Sequence, residues 1–245
     1  MARLPASNLL LAALPEEDRA RLSPLLKAVP LETRTMFLRE GQPIESVCFP
    51  QGGVCALTLT MADGRIAQVG IVGVDGLVGC LAGFGQDVAA YDAMVQIPDG
   101  GALLLPTRDF RDEMSRAGAL HALVTGYMLA ANAMTAASVA CNALHTAEER
   151  CARWLLHAHD RVTASRFELS HEFIAMMLGV RRPTATLVAG ILQRAGLIRY
   201  KRGRMEIVDR AGLEAASCEC YRAVQAHFRG LLPGAADAAI PAAAR

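Results

Sequence analysis

The sequence predicts an α+β chain in three parts: a roll of short strands, one long helix, and a winged helix-turn-helix. Three observations carry this reading. Between Arg34 and Pro106 short apolar runs alternate with glycine turns; from Thr107 to Leu144 the apolar spacing becomes helical; and after Ser170 two short helices and a basic hairpin follow in close order. At 245 residues, 53% hydrophobic and 20% charged, the chain is long enough for two globular domains. The expected boundaries are 1–106 for the roll, 107–145 for the connecting helix, 146–230 for the winged domain and 231–245 for a disordered tail rich in alanine.

The roll is read from apolar runs at 35–38, 46–50, 54–60, 66–72, 92–97 and 102–105. Gly52-Gly53, Asp63-Gly64, Asp75-Gly76 and Asp99-Gly100-Gly101 punctuate them, and Asp63-Gly64 is the clearest tight hairpin. Thr107 is expected to cap a helix reaching Leu144, with Leu120, Val124, Tyr127, Ala131, Met134, Ser138 and Cys141 near one stripe. Ala130, Ala131, Ala133, Ala136, Ala137, Ser138 and Ala140 leave its surface small-sided, so a second copy of the helix can approach closely and form a homodimer. Thr146 and Glu149 make a T-x-x-E capping box that starts a fresh helix to about His159.

Ser170 is a good N-cap for a short helix from His171, in which Phe173, Ile174, Met177 and Leu178 share a face. Gly179 ends it, and Pro183 stands in the first turn of a second helix that runs to about Ala195 before Gly196. Arg181, Arg182, Thr184 and Thr186 crowd the start of that helix with groups that bond phosphates or base edges, while Leu187, Val188, Ile191 and Leu192 are expected to supply its buried side. The stretch 197–208 reads as a β-hairpin with Lys201, Arg202 and Arg204 near its tip. Val208, Asp209 and Leu213 then fit a hydrophobic staple at the head of a last helix running to about Arg229.

Charge divides between the ends of the chain. Residues 1–144 hold 10 Lys and Arg against 14 Asp and Glu, net −4, whereas residues 145–230 hold 14 against 9, net +5. The basic part contains the helix-turn-helix, as a double-stranded DNA partner requires. No apolar run reaches the ~18 residues of a membrane span, no signal peptide is evident, and seven cysteines without a repeated spacing fit reduced thiols, so a cytoplasmic, membrane-free location is expected.

The order and spacing of roll, helix and winged domain resemble the CRP/FNR family of bacterial transcription regulators. The most specific part is 173–186 (FIAMMLGVRRPTAT), which aligns without gaps on that family's DNA-reading motif; 140–150 (ACNALHTAEER) and 218–221 (CECY) resemble one bacterial branch of it. The resemblance implies a cyclic-nucleotide-binding-like roll and a homodimer on a twofold-symmetric operator, with RNA polymerase as a further candidate partner. It implies DNA contacts from Ser170, His171, Arg181, Arg182, Pro183, Thr184, Thr186, Leu187, Lys201, Arg202 and Arg204. The family's base readers are an Arg-Glu pair and an Arg five residues after the first; here Arg182, Pro183 and Leu187 stand at those places.

Two family sensors are not expected. Members that bind cyclic AMP hold its phosphate with G-E and, about ten residues later, R-[ST]-A; here Cys80 replaces the Glu, and no Lys or Arg lies between Arg65 and Arg108. The oxygen-sensing branch uses cysteines near the N-terminus, and the first one here is Cys48. A redox role for Cys48, Cys55 and Cys80 stays open, as does the effector and whether the bound protein activates or represses. Cys218 and Cys220 on one helix would point apart, and His145, His157 and His159 lack metal-ligand spacing, so neither metal nor cofactor is expected. No motif suggests catalysis, so an enzyme is not expected; the alternative is a ligand- or redox-sensing module acting through protein contacts, with weak or vestigial DNA binding.

Overall fold

The computed structural model describes residues 8–231. Two short helices, α1 (Leu9–Ala12) and α2 (Glu16–Leu22), precede the roll strands β1 (Lys27–Pro30), β2 (Met36–Leu38), β3 (Ser46–Pro50), β4 (Val54–Thr60), β5 (Ile66–Val72), β6 (Asp92–Ile97) and β7 (Gly101–Pro106). Antiparallel sheets in the orders β1-β7-β3 and β2-β6-β4-β5 bury Leu38, Phe49, Val95 and Leu105 in one core. Four expected strands match residue for residue, since glycine turns bound their apolar runs. At Asp63-Gly64, Gly64 has φ +81° and the Asp63 carboxylate accepts from the Arg65 amide at 3.1 Å. Strand β1 carries no such apolar run, because three of its four residues are exposed and only its pairing with β7 makes it a strand.

The helix expected over 107–144 is two helices, α3 (Thr107–Ser115) and α4 (Ala119–Leu144). Ala117 takes φ +52° and closes α3, and Gly118 is extended. Thr107 is not the cap: its hydroxyl donates to the Ile44 carbonyl and pins α3 to the roll. Helix α4 contains no charged residue and is, by length and composition, apolar enough to cross a membrane, which no continuous apolar run had indicated. Its buried stripe of Leu120, Val124, Tyr127, Ala130, Met134 and Cys141 nevertheless packs on its own chain. Ala131 and Ser138, expected in that stripe, are only half-buried, while Leu129 and Val139 on the opposite side are 57% and 66% exposed.

The winged domain comprises α5 (Ala147–His159), β8 (Arg166–Glu168), α6 (His171–Leu178), α7 (Arg182–Arg194), β9 (Ile198–Lys201), β10 (Arg204–Ile207), α8 (Arg210–Ala216) and α9 (Cys220–Leu231). The Thr146–Glu149 capping box is present. The expected last helix is broken at Ser217, whose backbone is extended, so α9 folds back along α4. Asp209 caps α8 through the Gly212 amide at 2.9 Å, but Val208 is 50% exposed beside a buried Leu213, so the expected staple is not closed. The tail expected over 231–245 lies outside the described residues, apart from Leu231 at the end of α9.

Roll and winged domain are packed together. Asp75 and Arg161 form a bidentate ion pair, Asp99 accepts from Thr163, and Arg34 meets Glu172 at 3.0 Å. Val54, Ile71 and Ile97 of the roll and Met134 of α4 share one buried cluster with Trp154, Phe173 and Ile174. Behind them, Asp160 accepts from Arg210 at 2.7 Å, Tyr221 at 2.9 Å and Gln225 at 3.2 Å, which joins α5 to α8 and α9.

Two buried histidines flank this network. Burial, with the Arg161 and Arg153 cations, holds His157 well below the usual 6.5, and burial with Arg210 lowers His159 against the opposing pull of Asp160. A folded-state value below the unfolded one means that stability is fully present above about pH 6.5 and is lost as pH falls beneath it, by at most about 1.4 kcal/mol per pH unit for each histidine. Urea midpoints taken on either side of about pH 6.5 should show this loss, and H157F should flatten it. A midpoint independent of pH there would contradict it.

Candidate nucleic-acid interface

The Ser170 hydroxyl accepts from the Phe173 amide at 3.2 Å and starts α6 where the sequence requires. Gly179, at φ +63°, ends it in the left-handed conformation. Arg150 donates to the Leu178 carbonyl at the same end, occupying a group that has no partner within the helix. Arg181 is extended and α7 begins at Arg182, with Pro183 in the first turn. Phe173, Ile174, Leu178, Ala185, Val188, Ala189 and Leu192 are buried between the two helices and the domain core.

The other face of α7 is open. Arg181, Arg182, Pro183, Thr184, Thr186 and Leu187 are all exposed. Leu187, at 57%, does not contribute to the buried side as its apolar character suggested; Ala185 and Ala189 do, because they let α7 lie close to the core. Thr186 donates to the Arg182 carbonyl at 3.1 Å and lies 3.4 Å from the His171 ring nitrogen. His171 packs on Tyr200 with ring centroids 4.6 Å apart, and its pKa is lowered by burial and by Arg182. The imidazole therefore meets solvent neutral at pH 7.

The wing turns at Arg202 and Gly203, both at positive φ, and Lys201 pairs with Arg204 across it. Lys201, Arg202 and Arg204 are exposed. The sequence did not reveal β8, which pairs with β10 as a third strand and brings Arg166 to the same surface. Arg166 and Arg199 flank Glu206 at 2.9 and 2.8 Å and hold its carboxyl below the usual range. With Lys201, Arg202 and Arg204 they line a basic concavity. Tyr200 fixes this sheet to the helices: its amide donates to Gln193 at 2.6 Å and its hydroxyl to the Leu169 carbonyl at 2.9 Å. Arg166, Arg199, Gln193 and Tyr200 were thus missed; the Arg and Tyr beside Lys201 were the available signal.

On the roll, the segment after Gly76 is packed rather than open. A Cβ at Gly76 would lie 2.4 Å from the Tyr127 ring, and one at Gly83 would lie 2.8 Å from Phe110. The cations that do approach come from other segments and are paired, Arg111 with Asp87 and Arg161 with Asp75. Cys48, Cys55 and Cys80 are buried; burial pushes Cys55 and Cys80 up to about 12 and Cys48 higher, which disfavours the reactive thiolate. The redox role left open for these three is therefore not favoured.

Residues 149–216 match the Crp-like helix-turn-helix domain. No curated protein matches the chain in sequence. Among solved structures it resembles a CRP-family transcriptional regulator from Thermus thermophilus at 22% identity and TM-score 0.64, over 78% of this chain and 96% of that one. FixK2 from Bradyrhizobium japonicum is similar at 18% identity and TM-score 0.60, over 79% and 98%. So is CLP, a c-di-GMP-responsive global regulator from Xanthomonas campestris, at 17% and 0.57, over 79% and 99%. Residues 149–216 therefore form a Crp-like helix-turn-helix domain, and the chain carries the fold of the CRP/FNR family of transcriptional regulators.

Proposed function

We propose that the protein is a cytoplasmic, homodimeric, sequence-specific transcription regulator that binds a twofold-symmetric operator and contacts RNA polymerase there. The observation that carries this is the set of exposed polar side chains on the first turns of α7, set against a buried apolar face and followed by a basic wing. Titrating labelled random duplex DNA by fluorescence anisotropy tests it: affinity should fall steeply with salt, and repeated selection should yield a palindrome. A protein that binds no DNA at low salt is instead a protein-contact module.

The dimer is assigned to α4. Leu129, Asn132, Ala136, Val139 and Ala143 follow alternating spacings of three and four on the side turned away from its own chain, the pattern of a coiled-coil seam. Such a pair would place two α7 helices for half-sites about 34 Å apart. L129E or V139E should give monomers in sedimentation and abolish operator binding, whereas Ala131 and Ser138 face α4's own neighbours and are poorer probes. A wild-type monomer at micromolar concentration would refute the assignment.

Cyclic AMP is not the effector in this reading, because the loop after Gly76 offers no free cation among its own residues and is filled by Tyr127 and Phe110. Calorimetry with cyclic AMP or cyclic GMP should show no heat of binding, and neither should change DNA affinity. Binding at physiological concentration would overturn this.

A further inference from the structure

The end of α4 and the start of α9 bring together two pairs of side chains that the sequence keeps far apart. Sγ of Cys141, a ring nitrogen of His145, and Sγ of Cys218 and Cys220 all lie within 4.8 Å of one another. Cys141 and Cys218 are 3.4 Å apart, and Cys220 is 3.8 Å from Nδ1 of His145. The two cysteines of Cys-Glu-Cys do not point apart as two residues of one helix would, because Cys218 sits in the break before α9. The three thiols also form a buried group of their own, separate from both hydrophobic cores, so they do not act there as small core residues.

We propose that Cys141, His145, Cys218 and Cys220 bind a Zn2+ ion in a closed tetrahedral site at the junction of α4, α5 and α9. Zinc–sulfur bonds of about 2.3 Å and zinc–nitrogen bonds of about 2.0–2.1 Å separate tetrahedral ligand atoms by roughly 3.6–3.8 Å, so shifts of an ångström or less complete the shell. A set of three sulfurs and one imidazole is zinc's own chemistry and leaves no open position for a reactant. The surroundings fit as well. His145 presents Nδ1 to the cluster while its other nitrogen lies 3.2 Å from a Glu219 carboxylate oxygen, the partner that orients a metal-bound histidine. Three thiolates and a dication leave one negative charge, and the buried Arg153 guanidinium, whose Nε has no hydrogen-bond partner, supplies a cation beside Cys141 and Cys220. A Cys141–Cys218 disulfide would use two of the four ligands and leave the placement of His145 and Glu219 without a purpose. The site goes beyond DNA recognition: it fastens the α4–α5 joint, where His145 is the C-cap of α4, to the last helix.

The test uses the full chain, purified under reducing conditions without added chelator. Elemental analysis should find one zinc per chain. After metal removal, titration with Co2+ should produce thiolate charge-transfer absorption and the intense visible bands of tetrahedral cobalt. C220S and H145A should lose those bands, whereas H145C should keep them with a changed spectrum. E219Q, which removes only the orienting charge, should weaken Co2+ binding by about 10–100-fold. Reduced, folded wild-type protein that holds no stoichiometric zinc and gives no cobalt bands would overturn the site, whatever its DNA binding. A Cys141–Cys218 disulfide found by mass spectrometry in protein that takes up no metal after reduction would overturn it equally.

Discussion

D75A is expected to destabilise the protein by about 3–5 kcal/mol, the cost of leaving a buried cation without its partner. Arg161 is only 4% exposed in its side chain and Asp75 16%. The guanidinium gives Nε and one terminal nitrogen to the two carboxylate oxygens and its other terminal nitrogen to the His157 carbonyl at 2.7 Å. With the guanidinium this deeply buried, removing the carboxylate strands the charge. Urea unfolding should show a lower midpoint with an unchanged slope. Replacing both partners by apolar residues, D75L with R161M, should recover most of the loss, since the pair's own net contribution is small. A loss below about 1 kcal/mol for D75A would mean that solvent reaches the pair and that other contacts dock the domains.

R182A should relax base preference at one guanine in each half-site and forfeit about 1–3 kcal/mol of discrimination. Arg182 begins α7 fully in the open, and its long side chain can give two parallel bonds to guanine O6 and N7. Pro183 and Leu187, beside it on the same face, offer apolar contact only, as to a thymine methyl, so the operator should differ from the half-site read by the family's Arg-Glu-Arg set. R202A should act differently, because Arg202 lies at the wing tip among other cations. It should weaken binding to every sequence alike and reduce the salt slope by about 0.9 for each phosphate it leaves unneutralised. Competition assays against single-base variants of the selected operator would separate the two. If R202A changed base preference and R182A did not, α7 would not be the reading helix.

What the sequence disclosed and what it hid follow one rule: local signals were legible, and features made by distant contacts were not. Strands β3 to β6, the Thr146–Glu149 box and the Ser170–Gly179 helix each rest on neighbours a few residues away. Strand β8 is three residues whose pairing partner lies across the whole helix pair, so no alternation could mark it. The helix break at Ser217 occurs at a residue compatible with a helix and accompanies the return of α9 along α4, whereas the break at Ala117 precedes Gly118, a local signal that the reading passed over. The exposed polar side chains at the start of α7 were legible because Arg181, Arg182, Thr184 and Thr186 fall off the apolar spacing of that helix. The Cys and His cluster was not, because it exists only once α9 returns along α4.

The cluster shared by Val54, Ile71, Ile97, Met134, Trp154 and Phe173 bears on how such chains can be recombined. A fragment starting at Thr146 would carry Trp154 and Phe173 into water without the roll strands that cover them. A chimera that grafts this winged domain onto another roll inherits the same bare patch unless the matching positions on the foreign roll are also apolar and of similar bulk. Any exchange of one unit therefore has to keep the apolar faces matched across this seam.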